Sequence, residues 1–191
     1  SSDLGRYSSR KEHWQEQLDY WFDEEHGFAA LDKCISDAAS RIGNPPSKRG
    51  IIFSLPDPVY FEHYTNAMKG ENMNTVYWGE IDGVEMDFSK AEDRINAYLW
   101  LVDSVRAKFA EADYDHIELI GFYVLSEILV AKPNGWNYRY KRWDQILPHV
   151  SEYLHEMKYA LYWIPYYQAD GYDMTEELGI DYTWIQPNKY W

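Results

Sequence analysis

The chain is short of nearly everything that redox, metal or phosphate chemistry asks for. It has a single cysteine, Cys34, which excludes an internal disulfide. Cys34 falls among Leu31, Ile35 and Ala38 at helical spacing and reads as a buried, inert thiol. The six histidines have no metal-ligand spacing, and His149 and His155 fall on different faces of a helix, so no metal is expected. Basic residues are scarce as well. Eighteen Lys and Arg against thirty-two Asp and Glu leave a net charge of −14, which sets the chain against nucleic acid or an anionic membrane as partner. No apolar run approaches the roughly 20 residues of a membrane span. The first residues, Ser1-Ser2-Asp3-Leu4-Gly5, carry no apolar core of signal-peptide type. That leaves a cytoplasmic chain, a removed leader, or a start that is not the natural one.

Aromatic residues are abundant. They make up 18% of the 191 residues, and 27 of the 34 are Tyr or Trp. Both combine an apolar ring with a polar tip, so they suit surfaces that stack and hydrogen-bond together. Sugar rings, with apolar C–H faces rimmed by hydroxyls, offer such a partner. A Tyr-rich core and rim is the plainer alternative.

Hydrophobic periodicity organises the rest. Trp14, Leu18, Trp21 and Phe22 mark one helical face, and Phe28, Leu31, Ile35, Ala38 and Ile42 a second. Gly43-Asn44-Pro45-Pro46 ends that helix. Residues 50–55 form a short apolar run closed by Pro56-Asp57-Pro58, the pattern of a buried strand. Asp82-Gly83 is a two-residue hairpin turn. Ser89 and Glu92 have capping-box spacing ahead of a helix with Ile95, Leu99, Val102, Val105 and Phe109 on one face. A strand over 117–125 ends in Ser126-Glu127. A helix with Trp143, Ile146, Leu147, Val150, Leu154 and Met157 inward follows, and Pro148 should kink or divide it. A strand over 159–165, a short helix around 175–178 ended by Gly179, and a strand over 181–186 complete the chain.

Short apolar strands alternating with amphipathic helices predict a parallel sheet in an α/β fold. A nucleotide-binding doubly wound sheet would place a Gly-rich turn after its first strand, and Pro56-Asp57-Pro58 is no such turn. Acids, amides and aromatics stand at the strand ends, as in the mouth of a (β/α)8 barrel. The reading is therefore one domain over residues 1–191, a central portion of a TIM-type barrel with about four strand–helix units. A compact four-stranded α/β sandwich is the alternative.

Glycoside hydrolysis uses two carboxyl groups, and one of them donates a proton to the leaving oxygen. Glu127 suits the general acid/base, because it follows an apolar strand and shares parity with Tyr123 and Leu125. Desolvating neighbours would favour its protonated form. The alternative is an exposed glutamate capping a short loop helix at 128–131. Asp57, Tyr123, Trp163, Tyr166, Tyr167, Gln186 and Asn188 are the expected substrate-binding residues: stacking faces, with amides to grip hydroxyls. The second carboxylate is not evident. No cofactor is expected.

The runs Gly121-Phe122-Tyr123-Val124-Leu125-Ser126-Glu127, Tyr162-Trp163-Ile164-Pro165-Tyr166-Tyr167 with Gly171-Tyr172-Asp173, and Glu177-Leu178-Gly179 with Ile185-Gln186-Pro187-Asn188 resemble the domain of unknown function 4855 family. Asp19-Tyr20-Trp21-Phe22 and Ala30-Leu31-Asp32 add to the likeness. The resemblance implies a glycosidase-like barrel in a bacterial protein of glycan utilisation, secreted, periplasmic or at the cell surface. Family members are longer, so it also implies that this chain holds strands three to six and that the same native polypeptide carries the remainder. In related barrels the acid/base closes strand four, which corresponds to Glu127, and the nucleophile lies on strand seven. Family members often carry two acids where this chain has Ser126-Glu127. The implied function is a glycoside hydrolase module acting on a polysaccharide or oligosaccharide. A non-catalytic carbohydrate-binding barrel and a structural or interaction domain are the alternatives.

Overall fold

The computed structural model describes residues 9–43, 47–58, 76–133 and 141–187. Two helices open the chain, α1 (Lys11–Trp21) and α2 (Gly27–Ile42), followed by strand β1 (Arg49–Leu55). The hairpin of β2 (Tyr77–Ile81) and β3 (Val84–Asp87) leads into the long helix α3 (Ala91–Ala112). Then come β4 (Ile117–Val124), α4 (Trp143–Glu156), β5 (Ala160–Trp163) and β6 (Tyr182–Thr183).

The four strands β1, β4, β5 and β6 form one sheet in that order, every pair parallel. A doubly wound sheet reverses its order at a switch point. This one does not: each strand adds to the same side, as in the wall of a barrel. The fold is α/β with a parallel sheet, as the alternation of periods predicts.

Register explains which side chains form the core. Phe53, Phe122 and Leu161 form one row across the strands, and Leu55, Val124 and Trp163 the next. All six are buried in one cluster with Leu101, Val105, Ile146 and Val150 from α3 and α4. The opposite row runs Tyr123, Tyr162, Tyr182. At the β1 edge of that row Gln17 of α1 donates to Ser54 at 3.3 Å, while Ile52, Ile120, Tyr182 and Trp184 are exposed. The sheet therefore has one helix-covered face and one open face lined by aromatics.

Several local expectations need correcting. Cys34 and Leu31 are exposed, not buried. Phe28 alone of the α2 face is buried; it wedges between Phe22, Phe53 and Phe109, and beyond it α2 runs along the surface. Ser89 does not cap α3. Its hydroxyl and N–H both donate to Asp87; Asp93, the third residue of the helix, accepts the Asp87 N–H at 2.8 Å, and the N-cap residue Lys90 makes no side-chain cap bond. The buried face of α3 is Arg94, Ala97, Tyr98, Leu101, Val102 and Val105, while Ile95 and Leu99 are only partly covered. The helix meets the sheet and α4 along different stripes, so one hydrophobic face does not describe it. Pro148, the sixth of fourteen residues, does not divide helix α4; the lost N–H does not outweigh the burial of Trp143, Ile146, Leu147, Val150 and Leu154. Residues 175–179 form hydrogen-bonded turns and not a helix. The hairpin turn is as expected, with Asp82 at φ 51° and Gly83 at φ 81°, the two positive φ values that a two-residue turn of this kind requires.

Candidate functional site

All four parallel strands end at one edge, and the segments leaving their C-termini carry Asp57, Glu127, Tyr166, Tyr167 and Gln186. Ligands of parallel α/β sheets bind outside the carboxyl ends of the strands, so this edge is the place to look for a site.

Glu127 is positioned by a chain of local contacts. The Trp163 indole N–H donates to the Ser126 carbonyl at 2.7 Å. The Ser126 hydroxyl turns forward to the Ile128 carbonyl at 2.8 Å. The Leu129 N–H donates to the Asp170 carbonyl at 2.9 Å, and Leu129 is fully buried. Gly171 lies against Leu129 so closely that a Cβ would meet the Leu129 carbonyl oxygen at 2.6 Å. Lys132 pairs with Asp173 at 2.8 Å. The segments leaving β4 and β5 are thus fastened at several points, and Glu127 stands on a fixed base.

The Glu127 carboxylate is exposed and accepts a hydrogen bond from Gln186 Nε2 at 2.7 Å. The same nitrogen donates to the Ile164 carbonyl at 3.2 Å. Gln186 is held in turn by its backbone, which bridges to Tyr166 as a continuation of the β5–β6 pairing. Tyr123 lies on the same open face, and partial burial, then the Glu127 charge, raise its phenol above the usual range. That phenol remains a hydrogen-bond donor at neutral pH.

Asp57 is engaged elsewhere. Its Oδ2 pairs with Lys141, and its Oδ1 is buried without a hydrogen-bond partner among the described residues. Tyr98 donates to the Pro56 carbonyl at 2.8 Å; burial first, and then the Asp57 charge, push that phenol well up. Tyr166 is half-buried and Tyr167 exposed at the edge. Trp163 is completely buried on the helix side. Its ring packs in the core, so it offers no stacking face, and its contribution to the edge is the bond to Ser126. Asn188 lies outside the described residues.

The structure therefore joins Glu127 directly to Gln186 and sets Tyr123, Tyr166 and Tyr167 around them, while Asp57 belongs to a separate ion pair. Exposure removes one sequence expectation: neighbouring aromatics do not desolvate Glu127. Open grooves of about 570 and 660 Å³ lie away from this edge, one between α3 and α4 and one between α3 and the hairpin. No group of three or more His, Cys, Asp or Glu among the described residues is placed to hold a metal ion. No described helix is long and apolar enough to cross a membrane.

The family model for the domain of unknown function DUF4855 matches residues 3–191. The chain belongs to the DUF4855 family. No curated protein and no solved structure matches it. The strand-end runs that carried the sequence resemblance occupy, in this DUF4855 chain, the C-terminal edge of the sheet: Ser126-Glu127 after β4, Tyr166-Tyr167 after β5 and Gln186 after β6. Tyr182 and Trp184, which share parity with Gln186 but were not among the expected substrate-binding residues, accompany them on the open face.

Proposed function

We propose that the chain is a glycoside hydrolase module for a polysaccharide or oligosaccharide, with Glu127 as general acid/base. The observation that supports this most is the Glu127–Gln186 pair, fixed at the C-terminal edge of a parallel sheet beside tyrosine rings. Carboxylate, amide and aromatic face are the groups that grip a polyol and move a proton to or from its glycosidic oxygen. On this reading further strands of the same native polypeptide continue the sheet past β1 and β6. One of them would carry the second carboxylate, because Asp57 is held by Lys141. A polymeric substrate would place the protein outside the cytoplasm or at the cell surface. Replacing Glu127 by Gln in the full-length protein should lower turnover of a responsive glycan by about 10²–10⁴-fold, measured as reducing ends released. Unchanged turnover would sink the assignment.

A second reading is a non-catalytic carbohydrate-binding barrel. The exposure of Glu127 and its neutral amide partner favour it, since a proton donor in this chemistry is ordinarily desolvated. Glycan binding by the full-length protein without any product would decide for this second reading.

A further inference from the structure

Part of the apolar row that periodicity marks as the inner face of α3 stays uncovered. Ile95 and Leu99 lie one turn apart and are only half-buried, because the helix buries Ala97, Leu101, Val102 and Val105 instead. With Ala91 and the ring of Tyr153 on α4 they floor an open groove of about 570 Å³ between the two helices. The edges of the sheet have no part in this groove. Helix α3 packs on β4 and α4 on β5, and both flanks are occupied within the chain. On one side Phe28 of α2 meets Phe109 of α3 at 5.1 Å; on the other Ser151 of α4 donates to the Gly179 carbonyl at 2.6 Å. Strands added past β1 or β6 bring their own helices outside those neighbours.

Three glutamates, Glu92 on α3 and Glu152 and Glu156 on α4, stand exposed around the floor. None of them has an ion-pair partner among the described residues. Asp103, further along α3, is answered by Arg106 at 3.0 Å and by the Tyr153 hydroxyl at 2.8 Å, so it adds little to the surplus. Among the described lining residues only His149 can carry a positive charge. A row of uncompensated carboxylates beside an apolar floor is complementary to apolar anchors flanked by Lys or Arg. A second copy of the chain would bring a net charge of −14 against the same sign. Nucleic acid and anionic lipid fail for the same reason. From Ala91 to Leu99 the floor follows about 12 Å of helix, roughly two turns, which sets the length of the apolar face it can take.

We propose that the groove between α3 and α4 docks a short basic amphipathic segment of a partner protein, its apolar side chains on Ile95, Leu99 and Tyr153 and its Lys or Arg residues against Glu92, Glu152 and Glu156. This surface is separate from the strand-end edge and does not depend on the glycan reading. The probe is a fluorescein-labelled peptide of about three helical turns with Leu on one face and Lys on the other, titrated against the full-length protein. It should bind, more weakly as salt rises, and amide chemical shifts should move at Ile95, Leu99 and Tyr153. Glu152→Lys with Glu156→Lys should weaken binding about tenfold and admit the matching Leu–Glu peptide. Glu24→Lys with Glu25→Lys, at exposed acids between α1 and α2, changes the net charge equally and should leave binding unaltered. Exchanging Leu for Ser in the peptide should abolish it. An equal loss from the Glu24 and Glu25 reversals, or full binding of the Ser peptide, would show that net charge alone holds the peptide and would overturn the proposal. No binding of the Leu–Lys peptide would do the same, as would shifts confined to residues away from the groove. A dimer in sedimentation that the Glu152 and Glu156 reversals dissociate would give the groove to a second copy instead.

Discussion

Trp163 shows how a residue can matter at a site without facing it. As an aromatic at a strand end it reads from sequence as a stacking wall. Register places it instead in the row of Leu55 and Val124 under the helices, where its ring is fully buried. A buried indole N–H needs an acceptor, and the Ser126 carbonyl supplies one at 2.7 Å. The residue that precedes Glu127 is thereby tied to the core. Trp163→Phe keeps an aromatic ring and removes that donor, so stability should fall by about 1–3 kcal/mol, read from the urea midpoint at constant m-value. A loss under about 0.5 kcal/mol would show that the bond contributes nothing net. Parity along one strand was enough to pair Glu127 with Tyr123, but the direction of Trp163 depended on which face the helices cover. The Gln186 contact was illegible for another reason: its partner lies 59 positions earlier in the chain, and only the register of three strands brings the two together.

At the scale of elements, the strands were legible because short apolar runs bounded by Pro, Gly and Asp have few other solutions. The hairpin was legible because Asp82-Gly83 accepts the two positive φ values of its turn. The start of α3 was misread because Asp87 takes the Ser89 N–H, which Glu92 would accept in a capping box, and the Ser89 hydroxyl with it. Gly121 carried no obvious signal in an otherwise apolar strand. Its neighbours give the reason for it: a Cβ would meet the Ala160 carbonyl oxygen at 2.3 Å and the Tyr162 ring at 2.5 Å. The ring could swing aside, but the carbonyl belongs to the β4–β5 ladder and cannot move without parting the strands. Gly121→Ala should therefore destabilise by about 1–3 kcal/mol, the range of overpacked cores. Thermal unfolding checks this, and an unchanged midpoint would mean that β4 and β5 separate at no cost.

For the whole molecule, the aromatic excess has a consequence in solution that does not depend on any ligand. Burial is the main cause raising the phenols of Tyr98, Tyr114, Tyr123, Tyr153 and Tyr162 above their ordinary range. For Tyr153 the phenol is pushed up to about 12, first by burial and then by its hydrogen bond to the Asp103 carboxylate. A phenol whose pKa is higher folded than unfolded holds its proton longer in the native state. Its contribution to stability is complete below about pH 10 and is lost as pH climbs through the folded value. The five act in the same direction, so stability should decline steeply above pH 10 as tyrosinate absorbance appears. Tyr153 joins α4 to Asp103 on α3, and its share can be separated from the others. Tyr153→Phe removes the ionisable group together with the hydrogen bond, so the variant should be less stable than the parent near pH 8 and should lose less between pH 10 and 12. Parallel urea-midpoint curves for parent and variant across that window would show that Tyr153 ionises equally readily folded and unfolded.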